Sequence, residues 1–259
     1  MIDTHSHLNF NAFKKDCAQV IGRSFSNGIK AIINVGSDLE TSKRAIELAD
    51  EFENLYAAIG LHPVDTGREV FDFEIYKKMA GNKKAVAIGE TGLDYFHVSD
   101  PKLIVLQKEV FLSHIKLARE LDLPLILHCR GNKQEPYKPY YKMLEILKKE
   151  KEIKGVIHCF SADLEIAKNF LELGFYIGFT GVITFAKGFD EIIKELPSDK
   201  ILTETDCPYL APALYRGERC ESWHVKFVIE KIAQIKNLSF VETEEQTEKN
   251  AINLFKLKI

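Results

Sequence analysis

Short apolar runs rich in Ile, Val and Leu recur along the chain and alternate with stretches of helical periodicity. The runs are Met1–Thr4, Lys30–Val35, Leu55–Ile59, Ala85–Ile88, Leu123–Leu127, Gly155–Ile157, Phe175–Gly178 and Ile201–Thr205. They are mostly continuous in apolarity, as parallel strands buried on both faces are. The clearest helical stretch is Pro101–Leu121, where Leu103, Leu106, Val110, His114, Leu117 and Leu121 share one face. Asp100 supplies its N-cap ahead of an N1 proline. A last helix is expected from near Glu242, closing the structure with Ile252, Leu254 and Phe255. Eight strand–helix units predict an α/β fold, a single (β/α)8 TIM-type barrel over residues 1–259, with a doubly wound open sheet as the alternative. No Pro-, Ser- or Gly-rich linker divides the chain, and the charged run Lys148–Lys154 reads as a solvated helix end.

Composition narrows the class. The chain has 259 residues, 46% hydrophobic and 28% charged, with a formal net charge of −3. That excludes a polycation binding DNA through bulk charge, so any recognition of a polyanion must come from a local site. Five cysteines, Cys17, Cys129, Cys159, Cys207 and Cys220, form no CxxC pair and read as free thiols of a reducing compartment. Neither a secretory leader nor a membrane-length apolar run is visible, and the expectation is a cytoplasmic protein with no membrane association and no obligate protein partner.

Six side chains that bind divalent metals lie where strand runs end: His5, His7, Glu90, His128, His158 and Asp206. In a barrel these ends converge on one face, whatever their separation in sequence. Residues two apart share a strand face, so Asp3 is expected beneath His5 and His7, and Glu204 beneath Asp206. The same alternation turns Cys129 and Cys159 away from the metals. His114 reads as a core residue, His97 lies in a loop with no motif, and His224 opens a helix. His62, in GLHPVD, is expected to face substrate. The chemistry implied is metal-assisted hydrolysis, in which Glu90 can bridge two cations, Asp206 accept the proton of an activated water and Glu204 orient the groups behind. Arg130 and His62 are the candidate phosphate contacts, and Tyr95 and Tyr209 the candidate stacking surfaces for a base. The ions expected are Zn, Mn or Mg.

The strings IDTHSHL, GLHP, AIGETGLDY, LHCR, HCFS, GFYIGFTG, ETDCPYLAP and KNAINLF together resemble the TatD family of metal-dependent deoxyribonucleases, within the amidohydrolase superfamily. The resemblance covers essentially the whole chain. It implies a (β/α)8 barrel with two or three divalent cations and hydrolysis of DNA phosphodiesters, at single-stranded or frayed ends and by exonucleolytic action. Carried over, one metal takes His5, His7 and Asp206, a second His128 and His158, with Glu90 between them. A carboxylate at Glu90, where many dinuclear amidohydrolases use a carbamylated lysine, points to the TatD branch. The chain departs from the family pattern at Val64, at Gly131-Asn132 and at Cys220-Glu221-Ser222, all read as substrate-facing, with Ser222 as an N-cap. Two other readings stand beside the nuclease: a hydrolase of a small ester, amide or phosphoester, and a non-catalytic nucleic-acid-binding barrel.

Overall fold

The computed structural model describes residues 1–150 and 152–259. Its eight strands are β1 (Ile2–Ser6), β2 (Ala31–Val35), β3 (Leu55–Ile59), β4 (Ala85–Asp94), β5 (Leu125–Arg130), β6 (Gly155–Ile157), β7 (Tyr176–Phe179) and β8 (Ile201–Thr203). They pair in sequence order, every pair parallel. The ring is completed where Ser6 bridges Cys207 and the His7 N–H donates to the Cys207 carbonyl at 2.8 Å. The helices are α1 (Cys17–Ser26), α2 (Leu39–Glu51), α3 (Phe73–Ala80), α4 (Pro101–Leu121), α5 (Lys138–Leu147), α6 (Leu164–Glu172), α7 (Phe189–Glu195), α8 (Val225–Lys236) and α9 (Phe240–Phe255). This is the (β/α)8 barrel, not the open sheet.

Alternation along the strands divides the core into two layers. Ala31, Ile33, Ala58, Ile126, Val156 and Leu202 cluster with one another and with Leu254 and Phe255 of α9. Their neighbours Ile59, Leu125, Leu127, Ile157, Ile177 and Ile201 cluster instead with Phe111, Leu144, Phe170 and Val228 of the surrounding helices. α4 has the expected limits, with Asp100 accepting from Lys102 N at 2.8 Å. α9 starts two residues earlier than expected, because Ser239 is its N-cap and Glu242 the N3 partner of a capping box. Of the run Lys148–Lys154, Lys151 lies outside the described residues; Lys148 caps α5, and Lys149 pairs with Glu145 within the last turns.

β4 differs most from expectation, running ten residues to Asp94. Its register against β5 shifts between Ile88 and Thr91, a bulge that inserts one extra residue on β4. Gly92, at φ 139°, makes the extension possible, since a Cβ there would lie 2.1 Å from the His128 carbonyl oxygen.

Candidate metal centre

His5, His7, Glu90, His128, His158 and Asp206 do converge at the C-terminal end of the barrel, where all but the fully buried His5 line a cavity of about 640 Å³. Three groups of donor atoms have all members within 4.8 Å of one another: His5, His158 and Asp206; His5, His7 and Glu90; His62, Glu90 and His128. His5 Nε2 and His7 Nε2 approach to 3.1 Å, and His5 stacks on His158 at 3.5 Å between ring centroids. His7 Nδ1 donates to the Val35 carbonyl at 2.8 Å, which fixes the tautomer and leaves its Nε2 lone pair facing inward. His5 Nδ1 and Glu204 Oε2 are buried without a partner. So many acceptor atoms converging in a buried space match the donor set of a divalent cation, and the residues fit that group.

Glu90 occupies the middle. Its Oε2 lies 3.4 Å from His5 Nε2 and 3.8 Å from His7 Nε2, while its Oε1 lies 2.9 Å from His128 Nδ1 and 3.6 Å from His62 Nε2. Burial works against the Glu90 carboxylate, but His62, His5 and His128 outweigh it and hold its pKa well below the ordinary value. Burial likewise lowers His128, yet Asp94 and Glu90 raise it to about 9. The charges of Glu204 and Asp206 outweigh burial at His158, raising it to about 10. Asp206 is pulled down by His7 and His158 against burial.

Glu204 does sit beneath the site. Its Oε1 accepts from Cys159 N at 2.6 Å and lies 3.0 Å from His158 Nδ1, without hydrogen-bond alignment. Space for this carboxylate comes from Gly178 on β7, where a Cβ would lie 2.6 Å from Glu204 Oε1. β8 stops at Thr203, however, and Asp206 has φ 60°, so a left-handed turn rather than alternation aims it at the cavity.

Several expectations need correction. Asp3 supports the His5 backbone and not a histidine ring: its carboxylate accepts from His5 N at 3.3 Å, and a register shift between Asp3 and Ser6 interrupts alternation in β1. Its carboxylate accepts from Thr205 N at 2.9 Å and from Thr205 Oγ1 at 2.7 Å, tying β1 to the segment after β8. Burial pushes it up to about 7 despite those bonds. Cys159 is not turned away, because β6 ends at Ile157 and Cys159 takes φ 44°; it lines the cavity, with Sγ 3.4 Å from Thr180 Oγ1. Cys129 packs in the core and also reaches the cavity wall. Tyr95 packs against the core and takes no part in the lining, since it follows Leu93 on the helix-facing side of β4. Tyr209 and Arg130 do line the cavity; Tyr209 is exposed, and Arg130 stacks on the exposed Phe96 ring at 4.1 Å.

His62 Nδ1 accepts from Val64 N at 3.2 Å, so its proton sits on Nε2, facing Glu90 Oε1. A donor there suits substrate better than a cation, though geometry alone would group it with the ligands. Among the departures from the family pattern, Val64 lines the cavity. Gly131 is locked in a tight loop, where a Cβ would lie 2.1 Å from the Pro136 carbonyl oxygen, and Asn132 Oδ1 caps that loop through Gln134 N and Glu135 N. Cys220-Glu221-Ser222 does not face the site. Cys220 and Ser222 are buried, Glu221 pairs with Arg23 and Arg219, and Glu221, not Ser222, caps the short helix there. His114 is a satisfied core residue, accepting from Leu61 N and donating to the Val110 carbonyl. His224 precedes α8 as expected.

Two residues at the cavity escaped the sequence. Asp94, fully buried, lies 2.9 Å from both His128 Nε2 and His97 Nδ1, and His97 lines the cavity wall. The signal was present in ETGLD: Glu90, Gly92 and Asp94 alternate on one face once the strand is read through its glycines.

A (β/α)8 barrel whose strand ends gather histidines and carboxylates defines the class of metal-dependent hydrolases. The model of the TatD related DNase family matches residues 2–256, and the chain belongs to that family. It is 40% identical to the uncharacterized metal-dependent hydrolase YabD of Bacillus subtilis, over 99% of each chain. It is 34% identical to the uncharacterized metal-dependent hydrolase YcfH of Escherichia coli, over 98% of this chain and 95% of that one. Among solved structures, the TatD homolog YjjV of Escherichia coli superposes with a TM-score of 0.90 at 29% identity, over 100% of this chain and 98% of that one. No described helix is long and apolar enough to cross a membrane.

Proposed function

We propose that this protein is a metal-dependent deoxyribonuclease that hydrolyses phosphodiesters with two divalent cations, acting from the free end of single-stranded or frayed DNA. The observation that carries the reading is the division of Glu90, one oxygen toward His5 and His7 and the other toward His128. A carboxylate so divided suits a bridge between two ions. His5, His7 and Asp206 would hold one ion and His128 and His158 the other, with Zn, Mn or Mg all compatible with an imidazole–carboxylate set. Cations bound there would lower the pKa of an associated water and neutralise charge on the phosphate.

The remaining work falls to side chains. Asp206 sits on the cavity wall, 3.3 Å from His7 Nε2, where it is placed to take a proton from water. Glu204 holds the turn at Cys159 from below and sets its charge beside the His158 ring. The His62 Nε2–H and Arg130 point donors at phosphate oxygens, and Tyr209 offers an exposed ring to a base. A cavity of about 640 Å³ suits a terminal nucleotide better than an unbroken duplex, which favours end-wise cleavage. Its apolar wall, Val182, Ile183, Phe189 and Leu210, favours a small aryl phosphoester as the second reading.

The deciding experiment sweeps Zn²⁺, Mn²⁺ and Mg²⁺ over metal-stripped protein with single-stranded, recessed and blunt DNA and a panel of small esters. Shortening of single strands from an end, abolished in Asp206→Asn, is expected. Turnover of small esters alone replaces the nuclease with the second reading, and DNA binding without turnover under every metal leaves a binding barrel.

A further inference from the structure

We propose that Asp94 is a positioning residue of this site, and that His97, which it carries, meets the substrate at the β4 edge of the cavity. The inference rests on the metal-site reading above. Asp94 Oδ1 accepts from the backbone N–H groups of Phe96 at 2.9 Å and His97 at 2.7 Å. Its Oδ2 faces His128 Nε2 and His97 Nδ1, each at 2.9 Å. Gln107 fixes the backbone behind it: Oε1 accepts from Asp94 N at 3.0 Å, and Nε2 donates to the carbonyls of Asp94 at 3.1 Å and Pro63 at 3.2 Å. The buried carboxylate therefore has four partners, and its ion-pair partners are imidazoles, with no Lys or Arg among them.

A turn-forming aspartate would account for Oδ1, whose two bonds close the loop after β4. It does not account for Oδ2, which joins imidazoles from two different segments. A carboxylate on one ring nitrogen of a histidine sets the tautomer and presents the other nitrogen. At His128 Asp94 faces Nε2 and Glu90 faces Nδ1, so a cation on the Glu90 side would take Nδ1 and leave the proton on Nε2 against Asp94. At His97 the proton is held on Nδ1, and Nε2 is left free on a half-exposed ring of the cavity wall. One carboxylate thus sets a metal ligand and a substrate contact in a fixed relation, the logic of a base oriented by a third group.

The test uses the full-length protein with Cd²⁺ or Mn²⁺ as the probe. In Asp94→Asn, one of two binding events should weaken by about 10–100-fold while the other is retained. In His97→Ala, both metal affinities should match wild type while KM for a phosphodiester oligonucleotide rises up to roughly tenfold, the loss of one hydrogen bond accepted by Nε2 from a sugar hydroxyl or base amino group. Wild-type affinity for both ions in Asp94→Asn, or an unchanged KM in His97→Ala, overturns the proposal. Should Asp94→Asn fail to fold, ¹¹³Cd-loaded wild type with ¹⁵N-labelled histidine decides: coupling at His128 Nδ1 is expected, and coupling at Nε2 overturns it. Absence of any Cd²⁺ binding by wild type would instead overturn the metal reading, and this inference with it.

Discussion

At the end of the barrel where α9 packs, strand residues largely alternate: Ala31 and Ile33 lie inside and Ile32 outside, Leu202 lies inside and Ile201 against the helices, and a single register shift interrupts the order where β4 starts beside β3. At the opposite end the rule breaks in four places. β1 and β4 carry register shifts, and Cys159 and Asp206 adopt left-handed backbone that non-glycine residues seldom take. Asp122, Asn237 and Lys256 are also left-handed, but these cap α4, α8 and α9, where such a conformation is ordinary. Regular geometry makes the core, and departures from it aim the reactive side chains. An ideal strand presents one side chain per layer to the barrel interior, too few to gather four imidazoles and two carboxylates within reach of one another.

The sharpest way to break this division is a pair of substitutions. Glu90→Ala should cost at least ~100-fold in turnover, more than the loss usual for residues behind a ligand, and leave the urea midpoint of metal-free protein near wild type. Leu202→Ala should do the reverse, costing about 2–5 kcal/mol of stability while the surviving folded protein keeps its kcat. Equal stability losses in the two would show that the two ends are not separate. A smaller effect is expected from chelation. Metal at 100 times its Kd stabilises by about 2.7 kcal/mol, and removal with EDTA should lower Tm by roughly 5–10 °C, restored by Zn²⁺ or Mn²⁺. Leu202→Ala should show the same EDTA shift, whereas Glu90→Ala should show a much reduced one.

A further effect is in pH. His128 and His158 are raised to about 9 and about 10 in the metal-free protein. A raised imidazole contributes stability in full below its unfolded pKa of ~6.5, and loses it as pH climbs through the folded value. Metal-free protein should therefore lose stability between about pH 6.5 and 10, while metal uptake tightens over the same window as protons stop competing. Urea midpoints from pH 6 to 10, with and without metal, measure both. A flat metal-free profile would remove these two histidines from the charge balance of the site.

The sequence disclosed the barrel because eight buried strands need eight apolar runs, and their order leaves few topologies. It disclosed His5, His7, His128 and His158 because each follows such a run directly. What it hid lies where alternation fails. GETGLD looks like a loop, since glycine is poor in strands, yet Gly89 and Gly92 are where β4 approaches β5 too closely for any side chain. Asp94 and His97 were lost with that segment, and Tyr95 was misplaced by it. Asp3 and Cys159 were assigned faces by counting residues in twos, across a bulge and past a strand end.

Gly178 carries a different lesson. Glu204 has its place only because the neighbouring strand offers no Cβ. Part of the site's specification is thus a vacancy written into the scaffold, invisible to any search for reactive groups. A designer grafting this constellation onto another barrel could copy every imidazole and carboxylate and still fail, for want of one hydrogen atom standing where a methyl group would be.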